Sequence, residues 1–198
     1  MFPRRDFGCI VADPSWPYKD SGRRRYAEGA KVKRAGHARH YPSMSLKEIC
    51  ALGVPLISSL HNNCLLFLWT TNAFLVDGSA TRVIKAWGFV PKTLHTWVKM
   101  TKDGTKQRFG CGSYGRNSTE HFIVATRGKP NRAGFRAIPT AHFWPWQSRH
   151  SQKPKQFYQL VESACSGPRL ELFARIHRAN WVSWGDEILE EADSEAGQ

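Results

Sequence analysis

Phe7-Gly8-Cys9-Ile10-Val11-Ala12 runs without a break into Asp13-Pro14-Ser15-Trp16. The first six residues are an apolar run of the kind that forms a buried strand. An acid and a proline then end it in a stiff turn, with an aromatic close behind. Open α/β sheets bind ligands beyond the carboxyl ends of their strands, which places Asp13 where a ligand would be met. The same four residues also suit a plain turn, with Asp13 as turn former and Trp16 as core. The tetrapeptide alone leaves both readings open.

Outward from this turn, strands alternate with helices. Ser45 with Glu48 makes a capping-box pattern that starts a helix carrying Leu46, Ile49 and Cys50 on its apolar face, and a second short helix is expected after Pro55. Residues 64–70 (CLLFLWT) read as a buried central strand. Residues 73–87 read as one helix with Phe74, Leu75, Val83, Ile84 and Trp87 buried, closed by Gly88. Strands are expected at 93–100 and 119–126, a Gly-rich loop at 103–115, and an irregular basic stretch at 129–149. A helix from Lys155 to Cys165 is stopped by Gly167-Pro168, and strands follow at 169–174 and 181–184. This alternation predicts one α/β domain over 1–198, with helices on both faces of the sheet. A polar segment at 19–40, with eight Lys/Arg against two acids, reads as a long basic loop, and the acidic end from about 188 as a fraying tail.

The 198 residues carry 29 Lys+Arg against 16 Asp+Glu. Six of those acids lie in 186–198, which has no Lys or Arg, so residues 1–185 hold 29 cations against 10 acids. Such a field favours a polyanion through phosphate contacts and counterion release. Nucleic acid fits it better than a membrane, since no basic amphipathic helix is evident. The sequence lacks a long apolar span and an apolar leader, so a cytoplasmic location is expected. Five scattered cysteines without Cys-x-x-Cys spacing read as free thiols, and no metal is expected. No G-x-G-x-x-G follows a strand and no G-x-x-x-x-G-K-[ST] is present, so neither a dinucleotide enzyme nor a P-loop NTPase is supported.

A further set of motifs occurs in one order: the Asp13 turn, Tyr41-Pro42-Ser43-Met44-Ser45, Leu66-Phe67-Leu68-Trp69-Thr70-Thr71-Asn72, Thr96-Trp97-Val98-Lys99, Asn117-Ser118-Thr119-Glu120, and His150-Ser151-Gln152-Lys153-Pro154. Glu171-Leu172-Phe173-Ala174-Arg175 and Trp184-Gly185-Asp186-Glu187 complete it. Together they resemble the adenine-N6 methyltransferases of the MT-A-seventy type, the family of the messenger-RNA methyladenosine writer and its bacterial and phage DNA-modifying relatives. The resemblance implies the Rossmann-like fold of S-adenosylmethionine-dependent methyltransferases. That fold is three-layer αβα, here in the permuted β-class order with the catalytic turn ahead of the cofactor strand.

It also implies roles. Asp13, Pro14, Ser15 and Trp16 form the catalytic turn, with Ser15 standing where the family has a second proline. The adenine amino group is a poor nucleophile because its lone pair is delocalised into the ring. Acceptors at the Asp13 carboxylate and Pro14 carbonyl would take hydrogen bonds from it and localise that pair, and Trp16 would stack on the extruded base. Lys153 would hold the methionine carboxylate of S-adenosylmethionine. Phe173, Arg175, His177 and Arg178 follow or end the cofactor strand, and Asp186 and Glu187 replace an amide pair near the adenosine. Tyr41, Asn117 and Glu120 would line the base pocket, while Trp97 is expected in the core. Arg23, Arg24, Arg25, Lys31, Lys33 and Arg34 would grip phosphates.

The expected activity is adenine-N6 methylation of DNA with short or loose site preference. RNA methylation and a non-catalytic nucleic-acid-binding subunit are the alternatives, and the chain acting alone, as a homodimer or with a second subunit stays open.

Overall fold

The computed structural model describes residues 6–17, 43–112, 114–146 and 152–185. Seven strands form one sheet: β1 (Phe7–Ala12), β2 (Leu60–Thr70), β3 (Val90–Met100), β4 (Thr119–Arg127), β5 (Ala141–Pro145), β6 (Arg169–Leu172) and β7 (Trp181–Trp184). Their spatial order is β5-β3-β4-β2-β1-β6-β7. Every pairing is parallel except those of β4, which runs against both β2 and β3.

Strand side chains alternate between the two faces, and here both faces are apolar. Ile10, Ala12, Leu66, Leu68, Leu170 and Leu172 meet one helical layer, which supplies Ile49, Leu56, Phe74, Val83, Ile84 and Trp87. That layer contains α1 (Leu46–Ala51), α2 (Gly53–Ile57), α3 (Asn72–Val76) and α4 (Ser79–Ala86). Cys9, Val11, Phe67, Trp69, Phe122 and Val124 meet Phe157, Leu160 and Val161 of α5 (Lys155–Ala164) on the other face. A central strand covered on both sides has no reason to alternate polar with apolar, hence runs such as CLLFLWT. Each fully buried Leu or Phe contributes about 1.5–3 kcal/mol. The three-layer α/β methyltransferase fold read from the sequence is the fold observed.

The differences are local. The Ser45 capping box forms as expected, with Ser45 Oγ accepting from Glu48 N–H at 3.2 Å and Glu48 Oε2 from Ser45 N–H at 2.7 Å. The expected helix 73–87 is two helices. Gly78 takes φ 77°, a left-handed conformation that interrupts the helix, and the Asp77 carboxylate accepts from Ser79 N–H at 2.8 Å to start the next one. Pro55 lies inside α2 rather than before it. The stretch read as irregular over 129–149 contains a 3-10 turn at Ala133–Phe135 and the edge strand β5, parallel to β3. β6 ends at Leu172, because Phe173 turns to φ 62°.

From β1 the chain crosses to β2 through α1 and α2 on one face, whereas α5 leads into β6 on the other. The gap beyond the ends of β1 and β6 is therefore a topological switch point, the place where open sheets hold ligands. Asp13 stands on one lip and Phe173 on the other. Among the described residues no helix is long and apolar enough to cross a membrane. The basic loop 19–40 lies, apart from its surroundings, outside the described residues, as does the acidic tail.

Candidate active site

Strand alternation decides what gathers at the carboxyl edge. Asp13 continues the series Cys9, Val11; Lys99 continues Trp97; Glu120 precedes Phe122 by one strand period. All three therefore project on the α5 face, beside Trp69. Lys153, just before Pro154 caps α5, closes the group. Its Nζ lies 3.0 Å from Asp13 Oδ2 and 2.8 Å from Glu120 Oε2, and Lys99 Nζ lies 2.5 Å from Glu120 Oε1. The result is a chain of alternating charge, Asp13–Lys153–Glu120–Lys99. The Lys153 ammonium also sits 4.6 Å from the centre of the Trp69 ring, a cation–π contact.

Burial alone would raise the Glu120 pKa, but the Lys153 and Lys99 charges beside it prevail and hold it at about 2. Burial likewise opposes charge on Lys153, and the Asp13 and Glu120 carboxylates overcome it and raise its pKa. Lys153, 9 % exposed, is thus a fixed cation between two anions. Asp13 and Glu120 take two of its three N–H donors, which leaves one for the methionine carboxylate that the resemblance implies. One ion pair does not exhaust Asp13, whose two oxygens offer about four acceptor sites.

The turn after Asp13 has its own geometry. The Pro14 carbonyl accepts from Trp16 N–H at 2.8 Å, a γ-turn pattern centred on Ser15, and retains a second lone pair. The Ser15 carbonyl accepts from Met44 N–H at 3.0 Å, so the chain on either side of 18–42 meets beside Asp13. Trp16 is 4 % exposed, stacked on Phe74 with ring centres 5.0 Å apart, and donates its indole N–H to the Trp69 carbonyl at 3.1 Å. The open stacking face expected of it is taken up by core packing. Trp16 packs in the apolar cluster on the opposite face of the sheet, the one covered by α1 to α4.

Two polar groups were not expected from the sequence. Tyr158 of α5 donates its hydroxyl to Glu171 Oε1 at 2.6 Å, with the Arg178 guanidinium 3.6 Å from the centre of the Tyr158 ring. Burial first, and the nearby Asp13 charge as well, raise the Glu171 pKa against the pull of Tyr158 and Arg178. Burial also raises Tyr158, which stays protonated as the donor. The signal was present: Glu171 is an acid inside an apolar strand. Asn72, at the start of α3, ties the neighbouring strand entry together. Its Oδ1 meets His121 Nε2 at 2.7 Å and its amide reaches Asn117 Oδ1 at 3.4 Å. Of the residues expected to line a base pocket, half-buried Glu120 is linked to Asp13 through Lys153, whereas exposed Asn117 meets Asn72.

Of the expected cofactor residues, Phe173 turns left-handed at the β6 exit and meets Trp184 edge-on at 6.3 Å. A bulky residue with positive φ costs roughly 1–3 kcal/mol and is held only where its surroundings enforce it. Arg175 and Arg178 are half-buried; His177 is exposed and its Nδ1 lies 3.3 Å from Ser183 Oγ. Trp69 Nε1 and Thr71 Oγ1 at the same edge are buried without a hydrogen-bond partner among the described residues. Buried donors of this kind suit a polar ligand, and with the aromatic and cationic exit of β6 they fit an adenosine-bearing cofactor. Tyr41, Arg23, Arg24, Arg25, Lys31, Lys33, Arg34, Asp186 and Glu187 lie outside the described residues. No cluster with metal-binding geometry occurs among the described residues.

The MT-A70 family pattern matches residues 7–187. The chain is 30% identical over 204 residues to the type II methyltransferase M.MunI of Mycoplasma sp, covering 95% of this chain and 80% of that protein. It is 31% identical over 189 residues to the N6-methyladenosine RNA methyltransferase MTA1 of Cryphonectria parasitica, covering 92% and 52% respectively. To the N(6)-adenine-specific methyltransferase METTL4 of Mus musculus it is 26% identical over 207 residues, covering 93% and 38%. It spans most of the bacterial relative and about half or less of the other two. With the family pattern running from the first strand past the last, the chain belongs to the MT-A70 family of adenine-N6 methyltransferases.

Proposed function

We propose that this chain transfers a methyl group from S-adenosylmethionine to the N6 amino group of adenine in DNA. The observation that carries the reading is Asp13, fixed by Lys153 at the switch point of the sheet. Support for DNA comes from the match to the bacterial type II methyltransferase, of which the chain covers 80%, and from the excess of cations over residues 1–185.

S-adenosylmethionine, when bound, supplies a methyl group activated by a positive sulfur. The Asp13 carboxylate and the second lone pair of the Pro14 carbonyl accept the two amine N–H groups and draw the nitrogen toward a pyramidal, nucleophilic form. A carboxylate is too weak a base to deprotonate a neutral amine beforehand. The methyl–sulfur bond would break as the N–C bond forms, leaving a neutral thioether and a cationic, acidic nitrogen, whose proton Asp13 accepts. Lys153 keeps Asp13 oriented until then, and catalysis is largely positioning. Trp16 acts from beneath, by fixing the turn rather than by touching the base. The exit of β6, with Phe173, Arg175, His177 and Arg178, would hold the adenosine part.

Labelled cofactor supplied with duplex DNA, single-stranded DNA and RNA, followed by nucleoside analysis, tests this reading. N6-methyladenine in DNA is the expected product. Methyl transfer confined to RNA, as the name of the fungal relative would suggest, overturns the choice of DNA.

A further inference from the structure

Between Lys99 and Glu120, two members of the ion-pair chain, the backbone leaves the sheet and returns to it. The described residues of this connection, 101–112 and 114–118, are braced by hydrogen bonds. Arg108 N–H bonds to the Lys99 carbonyl at 2.7 Å, Thr101 N–H to Lys106 at 2.8 Å, and Gly110 N–H to Asn117 at 2.6 Å. Arg116 Nε–H donates to the Gly110 carbonyl at 2.8 Å, and the Arg108 guanidinium lies 3.6 Å from the centre of the Trp146 ring. A β carbon on Gly112 would stand 1.9 Å from the Gly115 carbonyl oxygen, so only glycine permits that close approach.

On this braced loop two aromatic rings face outward: Phe109 is 56 % exposed and Tyr114 wholly so. Lys102, Lys106 and Arg116 are exposed around them. The acid between them, Asp103, is occupied within the loop by Thr101 and Thr105. Outward aromatic faces set among cations are the pattern by which proteins hold single strands, bases stacking on the rings and phosphates meeting the charges. A second copy of this chain is a poor occupant, because one cationic loop would meet another molecule carrying +13.

We propose that loop 101–118 is a platform for an unpaired nucleic-acid strand next to the target base, with bases stacked on Phe109 and Tyr114 and phosphates on Lys102, Lys106 and Arg116. The inference rests on the nucleic-acid reading above and deepens it, because a fully paired duplex keeps its bases stacked on each other and out of reach of the rings. The loop joins the active site directly at Lys99 and Glu120, so a strand lying on it leads to Asp13.

The test uses fluorescence anisotropy with a short labelled oligonucleotide made only of thymidine. It contains no adenine, so its binding reads the platform and not methylation. Joint F109A and Y114A replacement should weaken binding about a hundredfold, roughly tenfold for each ring, whereas F109W with Y114W should keep the parental affinity. Replacing Lys102, Lys106 and Arg116 by Gln should reduce the slope of log affinity against log salt by about 2, at about 0.7 per phosphate of a single strand. Thermal unfolding of each variant checks that the fold persists. Unchanged affinity in the double alanine variant overturns the proposal, as does a parent chain that does not bind the oligonucleotide. A changed molecular mass on light scattering with unchanged oligonucleotide affinity also overturns it, and makes the loop a protein interface. A parent that binds but methylates no nucleic acid leaves the platform standing and sinks the proposed activity.

Discussion

The Lys153 ammonium lies 3.0 Å from Oδ2 of Asp13, so the carboxylate that follows β1 is held by a largely buried cation, not by solvent. The same ammonium holds Glu120, and removing it would leave two carboxylates facing each other in a poorly solvated site. A broken buried ion pair of this kind costs about 3–5 kcal/mol. Lys153→Met should therefore lower both stability and turnover, and Lys153→Arg should restore part of each. If Lys153 serves Asp13, calorimetric affinity for S-adenosylmethionine changes only a few-fold in the arginine variant. A large loss of cofactor affinity with turnover preserved at saturation would return Lys153 to the cofactor carboxylate.

Acid should destabilise the fold in two stages. Burial first, and the neighbouring His142 second, depress His95 from 6.5 to about 4; its Nδ1 lies 2.9 Å from His142 Nε2. Between those pH values the unfolded chain takes up a proton that the folded chain refuses, so stability falls with acid by about 3 kcal/mol across the window. Glu120, lowered from 4.5 to about 2, stabilises fully above its unfolded value and loses that contribution as pH falls through about 2. Urea midpoints measured from pH 7 to pH 3 should show both stages. His95→Gln should flatten the upper one, and an unaltered profile in that variant would contradict the assignment.

Trp16 supports the turn from the core. Trp16→Ala removes a buried indole stacked on Phe74 and should cost about 3–5 kcal/mol. Trp16→Phe keeps the ring but leaves the Trp69 carbonyl without its indole donor, at about 1–3 kcal/mol. Activity of the folded fraction of Trp16→Phe should stay near the parent's. A sharp rise in KM for nucleic acid with stability unchanged would mean that the indole does meet the base.

Ser15 is the centre of the γ-turn, and an inverse γ-turn needs a φ near that of proline. Ser15→Pro should fit and keep activity at or above the parental rate, read by methyl incorporation at saturating cofactor. Much lower activity would show that the serine side chain has a role of its own.

The layers of the fold were legible because both sides of the sheet are covered: Phe7–Ala12 and Cys64–Thr70 could hardly be anything but buried strands. The capping box at Ser45 was equally plain, being a purely local device. The break at Gly78 was hidden because apolar positions of helical spacing continue across it. β5 was hidden for another reason: an edge strand with exposed Phe143 carries little apolar pattern, and its pairing with β3 is long-range. Within the site, Asp13, Glu120 and Lys153 were legible from the resemblance, but their mutual pairing was not, since it depends on two strands and a helix start meeting in space. Lys99 could have been placed by counting strand alternation from Trp97. Glu171 could have been found as a charge in an apolar strand, and its Tyr158 partner could not, because a tyrosine on a helix face looks like ordinary core.

Methyl transfer by Asp13→Asn measures the central claim most directly. The substitution keeps the size of the side chain and one acceptor, but removes the negative charge that takes the proton and pairs with Lys153. With DNA and labelled S-adenosylmethionine, N6-methyladenine formation should fall by about a thousandfold or more while calorimetry still detects the cofactor, a loss of about 4 kcal/mol in transition-state stabilisation. Parental rates of adenine methylation from Asp13→Asn would contradict the account.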